Sequence, residues 1–529
     1  LFDVNSAAAK CKKKLGSKWE GFANAWRTTQ LEYTWLRSLM KKQNVIIVGG
    51  GTAGWMCAAA LSKLIGNRLN ITLVESEQIG TIGVGEATVP TFLTLHRLLK
   101  IDEADFLSKV QGTIKLGISF ENWRQIGHQY IHSFGFTGQG CWAAGFQHFW
   151  LKGKQLGLSE DYGDYTPELK AAKENKFGFL KEAPLHYAYH IDAGRYATFL
   201  RQLAEREGVT RIEGVVQEVR QREDGAIKNI GLESGQVIEG DFFVDCTGFA
   251  GLLIEKTLKT EFEPWQHWLP CDRAIAVQTA ATEAPIPYTR SIAHGFGWQW
   301  RIPLQERVGN GLVFSSEHVS EDEALATLMS NLSGETLIEP RLIRFKTGQR
   351  HQHWRHNCVA IGLSAGFLEP LESTSIHLIQ RAIIRLMQLF PHDGDQESER
   401  DEFNRQMREE FELVRDFIIL HYHATERDDT PFWRHVSSMA IPETLKQKIK
   451  LFRQTGNIFQ NVADVFGENS WSQVMLGQGI VPAAYHPIVD MMDDTELADF
   501  LRHHQQRVDR IVSSLPAHET FLRQYCSSR

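Results

Sequence analysis

Three glycines follow a short run of β-branched residues at spacings that could bind the phosphates of a dinucleotide. Residues 45–48 are Val-Ile-Ile-Val, and they lead into Gly49, Gly51 and Gly54 in the spacing G-x-G-x-x-G. In such a motif the first glycine allows a tight turn, the second lets the backbone approach a pyrophosphate, and the third lets the helix pack on the strand. The start of the helix adds positive partial charge. The same turn contains Thr52 and Ala53, which we also expect to contact the ligand.

A carboxylate follows at the position where the ribose of such a ligand would bind. Residues 71–74, Ile-Thr-Leu-Val, read as a second strand that ends in Glu75, 24 residues after Gly51. A carboxylate there can accept hydrogen bonds from the ribose hydroxyls. The alternative is a glycine-rich turn that binds nothing. The order of strand, turn, helix, strand and acidic residue instead predicts an adenine dinucleotide.

Two later strand ends indicate that this dinucleotide is FAD. Residues 241–248 are interpreted as a buried strand that ends in a small-residue turn at Gly248, and residues 358–366 as a strand-to-loop transition whose small residues flank Leu363. Small residues permit close approach of the backbone to a ligand. Three strand ends of this kind, spread over about 320 residues, suit an extended FAD better than a compact NAD site. Because no second strand-coupled GxGxxG is present, we expect electrons from a separate NAD(P)H-dependent flavin reductase.

Composition narrows the remaining function classes. The 529 residues are 42% hydrophobic and 23% charged, which is ordinary for a globular protein. A formal charge of −7 gives no basic surface for nucleic acid, and no run of 18 apolar residues predicts a membrane span. Seven scattered cysteines without CxxC spacing favour reduced thiols and a cytoplasmic location. Two groups of histidines are close in sequence, namely His351, His353 and His356, and His421 with His423. No cysteine or carboxylate completes a metal-ligand set in either group, so we predict no metal site.

Two tryptophans spaced by one residue would alone be interpreted as core packing. Trp298 and Trp300, however, lie in the string GWQWRIP at 297–303. Further strings with counterparts in one family are IGVGEATVP at 82–90, GTIKLGISFENW at 112–123, FLEPLESTSIHLI at 367–379 and HYHATERDDTPFW at 421–433. From Met40 to its end the sequence resembles the flavin-dependent tryptophan halogenases. This resemblance implies an α/β fold with an FAD-binding Rossmann-like module (GR2 flavin monooxygenase type) and an associated, mostly helical substrate-binding region.

The resemblance also implies a two-component enzyme that uses FADH2, dioxygen and chloride or bromide to form hypohalous acid, which halogenates an electron-rich arene such as indole. Lys115 corresponds to the residue that activates the halogen, either as an ammonium that hydrogen-bonds hypohalous acid or as an amine that forms a haloamine. Glu372 corresponds to the carboxylate that stabilises the arenium cation and removes its proton, and Ser373 links it to the flavin side. Without the resemblance, Lys115 would be a solvent-reaching strand residue and Glu372 a helix cap.

Other positions take their roles from the same resemblance. Trp298 and Trp300 correspond to a wall that separates the arene from the flavin. The backbone N–H groups of Thr374 and Ser375 correspond to the halide site, although the family usually has glycine at the second position. Residues 75–86 correspond to a mobile strap over the flavin. The strap and the residue after it contribute the expected flavin contacts Gly83, Val84, Gly85, Glu86 and Ala87.

The substrate region is where the sequence departs from its relatives. His132 and Phe134 match residues that sandwich an indole ring, and Trp471 is expected to remain as an aromatic wall. The lid at 465–475 is short and lacks the paired tyrosines that clamp free tryptophan. Without that clamp a zwitterion would lose water without gaining partners. We therefore predict a more open site for indole-like or phenolic arenes.

Three segments are predicted along the chain. Residues 1–39 form an appendage whose strings LFDVNSAAAKC and AWRTTQLEYTWLRSLM resemble a fragment of type II haloacid dehalogenases without their nucleophile. Residues 40–395 form the FAD-binding module with inserted substrate segments, and residues 396–529 form the mainly helical substrate-binding region. A monomer and a homodimer are both compatible with the sequence. Two alternative functions stay open, a flavin-dependent aromatic hydroxylase and a non-catalytic flavin-binding protein.

Overall fold

The structure is a computed structural model that describes residues 42–79, 85–390 and 396–527. The predicted appendage at 1–39 and two predicted flavin contacts, Gly83 and Val84, lie outside the described residues. Within the described ranges, no helix is both long enough and apolar enough to cross a membrane.

Strands and helices alternate in the first part of the described chain, and helices dominate the last part. The strands, numbered in chain order, are β1 (Gln43–Val48), β2 (Leu69–Glu75), β3 (Gly85–Ala87), β4 (Thr113–Lys115), β5 (Gly117–Glu121), β6 (Gln129–Ser133), β7 (Ala188–Asp192), β8 (Thr210–Glu213), β9 (Val216–Gln221), β10 (Ile227–Leu232), β11 (Val237–Glu239), β12 (Phe242–Asp245), β13 (Phe262–Pro264), β14 (Arg273–Ala280), β15 (Thr289–His294), β16 (Gly297–Pro303), β17 (Arg307–Phe314), β18 (Arg341–Arg344), β19 (Gly348–Arg350), β20 (Trp354–Arg355), β21 (Cys358–Ala360) and β22 (Gly366–Phe367). The α-helices are α1 (Thr52–Ile65), α2 (Phe92–Leu98), α3 (Glu103–Lys109), α4 (Phe146–Gln155), α5 (Pro167–Lys173), α6 (Ala193–Arg206), α7 (Glu321–Ser330), α8 (Ser375–Gln388), α9 (Glu397–His423), α10 (Pro431–Ser438), α11 (Glu443–Thr455), α12 (Glu468–Gly477), α13 (Asp494–Ser513) and α14 (His518–Ser527).

The predicted strand–turn–helix of the glycine motif lies at the centre of a six-stranded sheet. Its strand order is β20-β21-β12-β1-β2-β8, and every pair except β20 with β21 is parallel. In this register Val48 lies between Val74 and Asp245. Because parallel strands present their carboxyl ends at one edge, the glycine turn, Glu75 and the end of β12 meet there. The apolar residues of β1 and α1 are buried against each other, which anchors the turn.

A second sheet carries the residues that the sequence assigns to substrate and wall. Its order is β18-β14-β17-β16-β15-β5-β6, antiparallel throughout except between β15 and β5. Trp298 and Trp300 lie on β16, and His132 lies on the edge strand β6. A small sheet of order β3-β7-β4 contributes Lys115 at the end of β4. Because alternate side chains of a strand point to the same face of its sheet, these strands direct one set of side chains towards a shared interior.

Helices close this interior from the opposite side. The helical periodicity expected after about 396 corresponds to α9, whose buried residues extend from Phe403 to Tyr422. Helix α12 is held on β6 because Gln473 Oε1 accepts from both the backbone N–H and the hydroxyl of Ser133, at 3.0 and 3.1 Å. Gln473 Nε2 donates back to the Ser133 carbonyl oxygen at 3.2 Å. These bonds fix the position of the neighbouring His132.

Candidate active site

In the glycine turn, packing leaves no room for a side chain at two positions and leaves open space at a third. Gly49 has φ +110°, and a Cβ there would lie 2.2 Å from the Cys246 carbonyl oxygen. A Cβ on Gly54 would lie 1.9 Å from the Gly49 carbonyl oxygen. Around Gly51, by contrast, no atom of the described residues other than its own chain neighbours lies within 4 Å of an added Cβ. The backbone at Gly51 is therefore accessible to a ligand, as a dinucleotide turn requires.

The other predicted flavin contacts surround this edge of the sheet. Glu75 is partly buried, and its carboxylate accepts from Arg211 Nε at 2.5 Å and from Trp55 Nε1 at 3.2 Å. Gly248 has φ +66° and open space at the position of a Cβ. Leu363 lines a cleft that also includes Phe367 and Ser375. The remaining contacts Gly85, Glu86 and Ala87 form β3, which pairs with β7.

Lys115 is fully buried at the end of β4. Its Nζ donates to Ser373 Oγ at 2.8 Å and to the Thr88 carbonyl oxygen at 3.0 Å. The ring centroid of Phe134 lies 5.3 Å from Nζ, within the range of a cation–π contact. Burial lowers the pKa of Lys115 to about 7, and the charge of Glu372 opposes this shift. A lysine in this state can be an ammonium or an amine near neutral pH.

Glu372 is buried beside the lysine, one residue before Ser373. Both carboxylate oxygens lie 3.0 Å from His132 Nδ1, and Oε1 lies 2.8 Å from His421 Nε2. The His421 contact is close, but its geometry is not that of an aligned hydrogen bond. Burial alone would raise the pKa of Glu372, but the charge and hydrogen bond of His132, together with His421, lower it to about 2. Glu372 is therefore an anion at neutral pH.

The turn between Glu372 and α8 places backbone N–H groups at the start of that helix. Ser373 has the left-handed φ of +60°, which turns its hydroxyl towards Lys115. Thr374 is buried and Ser375 is the first residue of α8. The first N–H groups of a helix have no partner within the helix and carry positive partial charge. The two predicted halide residues therefore lie where an anion is stabilised.

The two tryptophans of β16 form a buried layer on the second sheet. Trp298 Nε1 donates to Glu369 Oε2 at 2.9 Å, and the hydroxyl of Tyr422 donates to the same oxygen at 2.5 Å. Burial raises the pKa of Glu369 to about 7. A Cβ on Gly311 would meet the Trp300 ring at 2.0 Å, so the glycine makes room for that indole. Trp298 is thus held by a buried hydrogen bond, and Trp300 packs closely against Gly311 of β17.

Aromatic rings enclose His132 from the helical side. Phe466 stacks on Phe417 with centroids 3.8 Å apart, and these rings lie 6.3 and 5.6 Å from the His132 ring. Trp471 packs edge-on to Phe417 at 4.8 Å, while Lys448 Nζ lies 3.8 Å above its ring centroid. Trp471 is fully buried, and its Nε1 donates to Asp464. Phe417 and Phe466 therefore lie nearer to His132 than Trp471 does.

A family model described as tryptophan halogenase matches residues 44–494. The chain belongs to the tryptophan halogenase family. A solved structure of Xcc4156, a flavin-dependent halogenase from Xanthomonas campestris, is 54% identical, with a TM-score of 0.91 over 92% of this chain and 99% of that chain. BrvH, a flavin-dependent halogenase from Brevundimonas sp. BAL3, is 44% identical, with a TM-score of 0.87 over the same shares. The 7-chloro-L-tryptophan 6-halogenase KtzR from Kutzneria sp. (strain 744) is 33% identical over 90% of this chain and 98% of its own length.

These matches confirm the predicted family and the FAD-binding Rossmann-like α/β fold. The flavin that membership of the tryptophan halogenase family implies fits the structure, because the backbone at Gly51 and Gly248 is open at the edge where β1, β2 and β12 end. A separate match of 40 residues, 50% identical, links 8% of the chain to 18% of an (S)-2-haloacid dehalogenase from Pseudomonas fluorescens. This short match covers too little of that enzyme to carry its activity.

The structure brings most of the predicted reaction residues into one buried group. Lys115, Ser373 and Glu372 are adjacent, and His132 and Phe134 contact them. Trp471 lies one layer behind, covered by Phe417 and Lys448. Within the described ranges, no three His, Cys, Asp or Glu side chains are grouped to hold a metal ion.

Sequence reasoning missed two buried side chains at this site. The sequence indicates His421 only as part of an incomplete metal-ligand set, yet its side chain contacts Glu372. Glu369 lies in the string FLEPLESTSIHLI but received no role, although it holds Trp298. In both cases the sequence carries a signal, namely a polar residue inside an apolar stretch. Such a residue is rarely buried without a specific partner.

Proposed function

We propose that this chain halogenates an electron-rich arene with reduced flavin, dioxygen and chloride or bromide. The observation that carries the proposal is the buried row of Lys115, Ser373 and Glu372, in which Nζ lies 2.8 Å from the serine hydroxyl next to the carboxylate. When bound, the reduced flavin would activate dioxygen, which is the oxidant that converts halide to hypohalous acid. Lys115 then holds and polarises the halogen, while Glu372 stabilises positive charge on the arene and accepts its proton.

The buried tryptophan layer supports halogenation over hydroxylation. A flavin hydroxylase must bring its organic substrate against the flavin, whereas a halogenase needs only the small oxidant to travel. Trp298 is 1% exposed and is fixed by Glu369, so it does not swing aside without breaking a buried hydrogen bond. A flavin carrier without chemistry would gain nothing from a buried, hydrogen-bonded Lys115 beside a buried carboxylate.

The reaction can be tested with a separate flavin reductase, NADH, oxygen, bromide or chloride, and indole. We expect a halogen isotope pattern in the mass spectrum of the product. An added oxygen would support hydroxylation, and flavin oxidation without product would support a carrier. Because the lid at 465–475 is short, indole should also have a higher kcat/KM than free tryptophan. A much higher kcat/KM for tryptophan would contradict the open site.

Lys115 is proposed to act as an ammonium. Its Nζ donates to two oxygen acceptors and faces an aromatic ring, and all three contacts favour positive charge. Since its pKa is about 7, the ammonium fraction falls as pH rises through 7. We therefore expect halogen transfer to decline from pH 6 towards pH 8 by about tenfold, following that fraction.

The measurement is single-turnover halogenation of indole across this pH range. Flavin oxidation in the same samples, and the reaction of free hypobromous acid with indole, serve as controls for steps that do not involve Lys115. A rate that instead rises with pH through 7 would assign the reactive form to the neutral amine and favour a haloamine.

Two alanine substitutions separate flavin binding from folding within the glycine turn. Gly51 has φ −75°, which alanine adopts freely, and its Cβ would meet no protein atom. We expect Gly51→Ala to fold within about 1 kcal/mol of wild type but to bind flavin about tenfold or more weakly, because a methyl group would occupy the pyrophosphate surface. Gly49→Ala should lose about 2–4 kcal/mol of unfolding free energy through strain and its clash with Cys246.

Flavin titration and urea unfolding of both variants without flavin measure these effects. Normal flavin affinity in Gly51→Ala would place the dinucleotide elsewhere.

A further inference from the structure

Two consecutive residues near the end of α9 contact the two glutamates of one short turn. The hydroxyl of Tyr422 donates to Glu369 Oε2 at 2.5 Å, and His421 Nε2 lies 2.8 Å from Glu372 Oε1. The two glutamates are joined by the 3₁₀ turn Pro370–Glu372. Because proline fixes its own φ, the backbone between the two carboxyl groups is stiff. The position of Glu369 therefore determines where Glu372 is placed.

Glu369 is also bonded to the second sheet. Its Oε2 accepts a second hydrogen bond, from Trp298 Nε1 on β16 at 2.9 Å. The ring of Trp123 fills the space beside these groups, since its centroid lies 6.4 Å from that of Trp298 and 5.3 Å from that of Tyr422. All three rings are buried. One carboxyl group thus joins α9, β16 and the turn in a closely packed interior.

Folding stability alone does not explain a carboxyl group at this place. Glu369 is fully buried, both donors use Oε2, and Oε1 has no hydrogen-bond partner among the described residues. A buried oxygen without a partner costs free energy, and well-packed apolar side chains are often no less stable than such a group. Oε2 accepts both bonds whether the carboxyl group is ionised or carries its proton on Oε1. What the group provides in either charge state is a fixed geometry between α9, β16 and the turn.

From these contacts we infer that Glu369 and Tyr422 are positioning residues of the reaction, which set the place of the Glu372 carboxylate. This inference rests on the proposed halogenation. Glu372 stabilises the arenium cation only when its charge lies close to that cation, and an error of about 1 Å in such a placement can cost about 10²-fold in rate. Without the link through Glu369, the turn and the end of α9 move apart, the His421 contact loosens and the carboxylate shifts.

The test measures halogen transfer in single turnovers. Wild type and variants loaded with reduced flavin are mixed with oxygen, bromide and indole, and flavin oxidation is followed in the same samples. Tyr422→Phe, which keeps the ring but removes the donor, should transfer halogen about tenfold more slowly, and Glu369→Leu should lose at least as much. Glu369→Gln keeps an oxygen that accepts both bonds, so it should stay within about threefold of wild type.

Tyr187→Phe is the matched control. The hydroxyl of Tyr187 donates to Glu103 Oε1 at 2.8 Å, so this variant also loses a tyrosine–glutamate hydrogen bond, but one that does not reach the turn. It should transfer halogen at the wild-type rate per flavin-loaded molecule.

A double substitution separates positioning from a general structural defect. If Tyr422 acts through the Glu372 carboxylate, Tyr422→Phe should cost less than about twofold when it is added to Glu372→Gln. A general defect would instead cost the same factor with and without the carboxylate.

A further measurement does not depend on turnover. In crystal structures of wild type and Tyr422→Phe, the distance between Glu372 Oε1 and His421 Nε2 should be longer in the variant by about 0.5 Å or more.

The outcomes separate this inference from the proposed function. A Tyr422→Phe rate within about twofold of wild type would overturn the positioning role while leaving the halogenase intact. An equal loss with and without the Glu372 carboxylate would also overturn it, as would a Glu369→Gln defect as large as that of Glu369→Leu. If wild type halogenates no arene, the proposed function fails, and the crystal structures still decide, because an unchanged distance between Glu372 and His421 would overturn the inference by itself.

Discussion

Replacement of Lys115 by alanine is expected to reduce halogenated product by about 10²–10⁴-fold while flavin oxidation continues at close to the wild-type rate. Lys115 is the buried lysine whose Nζ donates to Ser373 Oγ and to the Thr88 carbonyl oxygen and faces the Phe134 ring. No other lysine is within hydrogen-bond range of Ser373 or Glu372 in the described residues, so no neighbour replaces its function. The measurement combines product quantification by mass with flavin oxidation followed by absorbance.

Lys152 provides a matched control for this variant. It is also a buried lysine, 8% exposed, and its Nζ donates to the Met492 carbonyl oxygen at 2.9 Å, away from the flavin edge and from Glu372. Lys152→Ala should lose stability but retain halogenation per folded molecule. Product from Lys115→Ala at more than a tenth of the wild-type rate would show that the lysine is not the group that activates the halogen. Lys115→Arg is a second test variant, because arginine keeps the positive charge but not the compact shape of the lysine ammonium group.

The sequence predicted those parts of the molecule that depend on local rules. The glycines at 49, 51 and 54 follow from the stereochemistry of a turn, and the structure shows the matching φ at Gly49 and the open backbone at Gly51. The group formed by Lys115, Ser373 and Glu372 was predicted through long motifs that resemble a known family, rather than from residue types alone.

What the sequence could not supply are contacts between distant elements. His421 lies 49 residues after Glu372, and nothing local shows that the end of α9 returns to the carboxylate. The covering of Trp471 by Lys448 likewise depends on how α11 packs beside α12. Such contacts are set by tertiary packing, which periodicity and motif spacing do not encode. The division of the chain at 395 and 396 stays a prediction.

Glu372→Gln is expected to reduce halogenation by about 10²–10³-fold with little change in the fold. An amide oxygen can still accept from His132 Nδ1, so the side chain keeps its place, but the negative charge is lost. Because His132 and His421 hold the pKa of Glu372 at about 2 against the effect of burial, the carboxylate has little proton affinity in its resting state. In the proposed reaction its main contribution is then electrostatic stabilisation of the arenium cation, which is acidic enough to give up a proton even to a weak base.

Glu410→Gln is the matched control, since Glu410 is 1% exposed and pairs with His377, Arg381 and Arg385 rather than with Lys115 or His132. It should lose stability without a specific loss of halogenation.

A second readout of Glu372→Gln distinguishes charge from shape. The anion raises the pKa of Lys115 against the lowering effect of burial, so removing the charge should lower that pKa below its value of about 7. The decline of halogenation with rising pH should therefore move to more acidic pH in Glu372→Gln, whereas Glu372→Asp, which keeps the charge on a shorter side chain, should lose rate with a smaller displacement. An unchanged pH profile in Glu372→Gln would mean that the carboxylate does not act on Lys115 electrostatically, and the loss of rate would then belong to its action on the arenium cation and the proton of that cation.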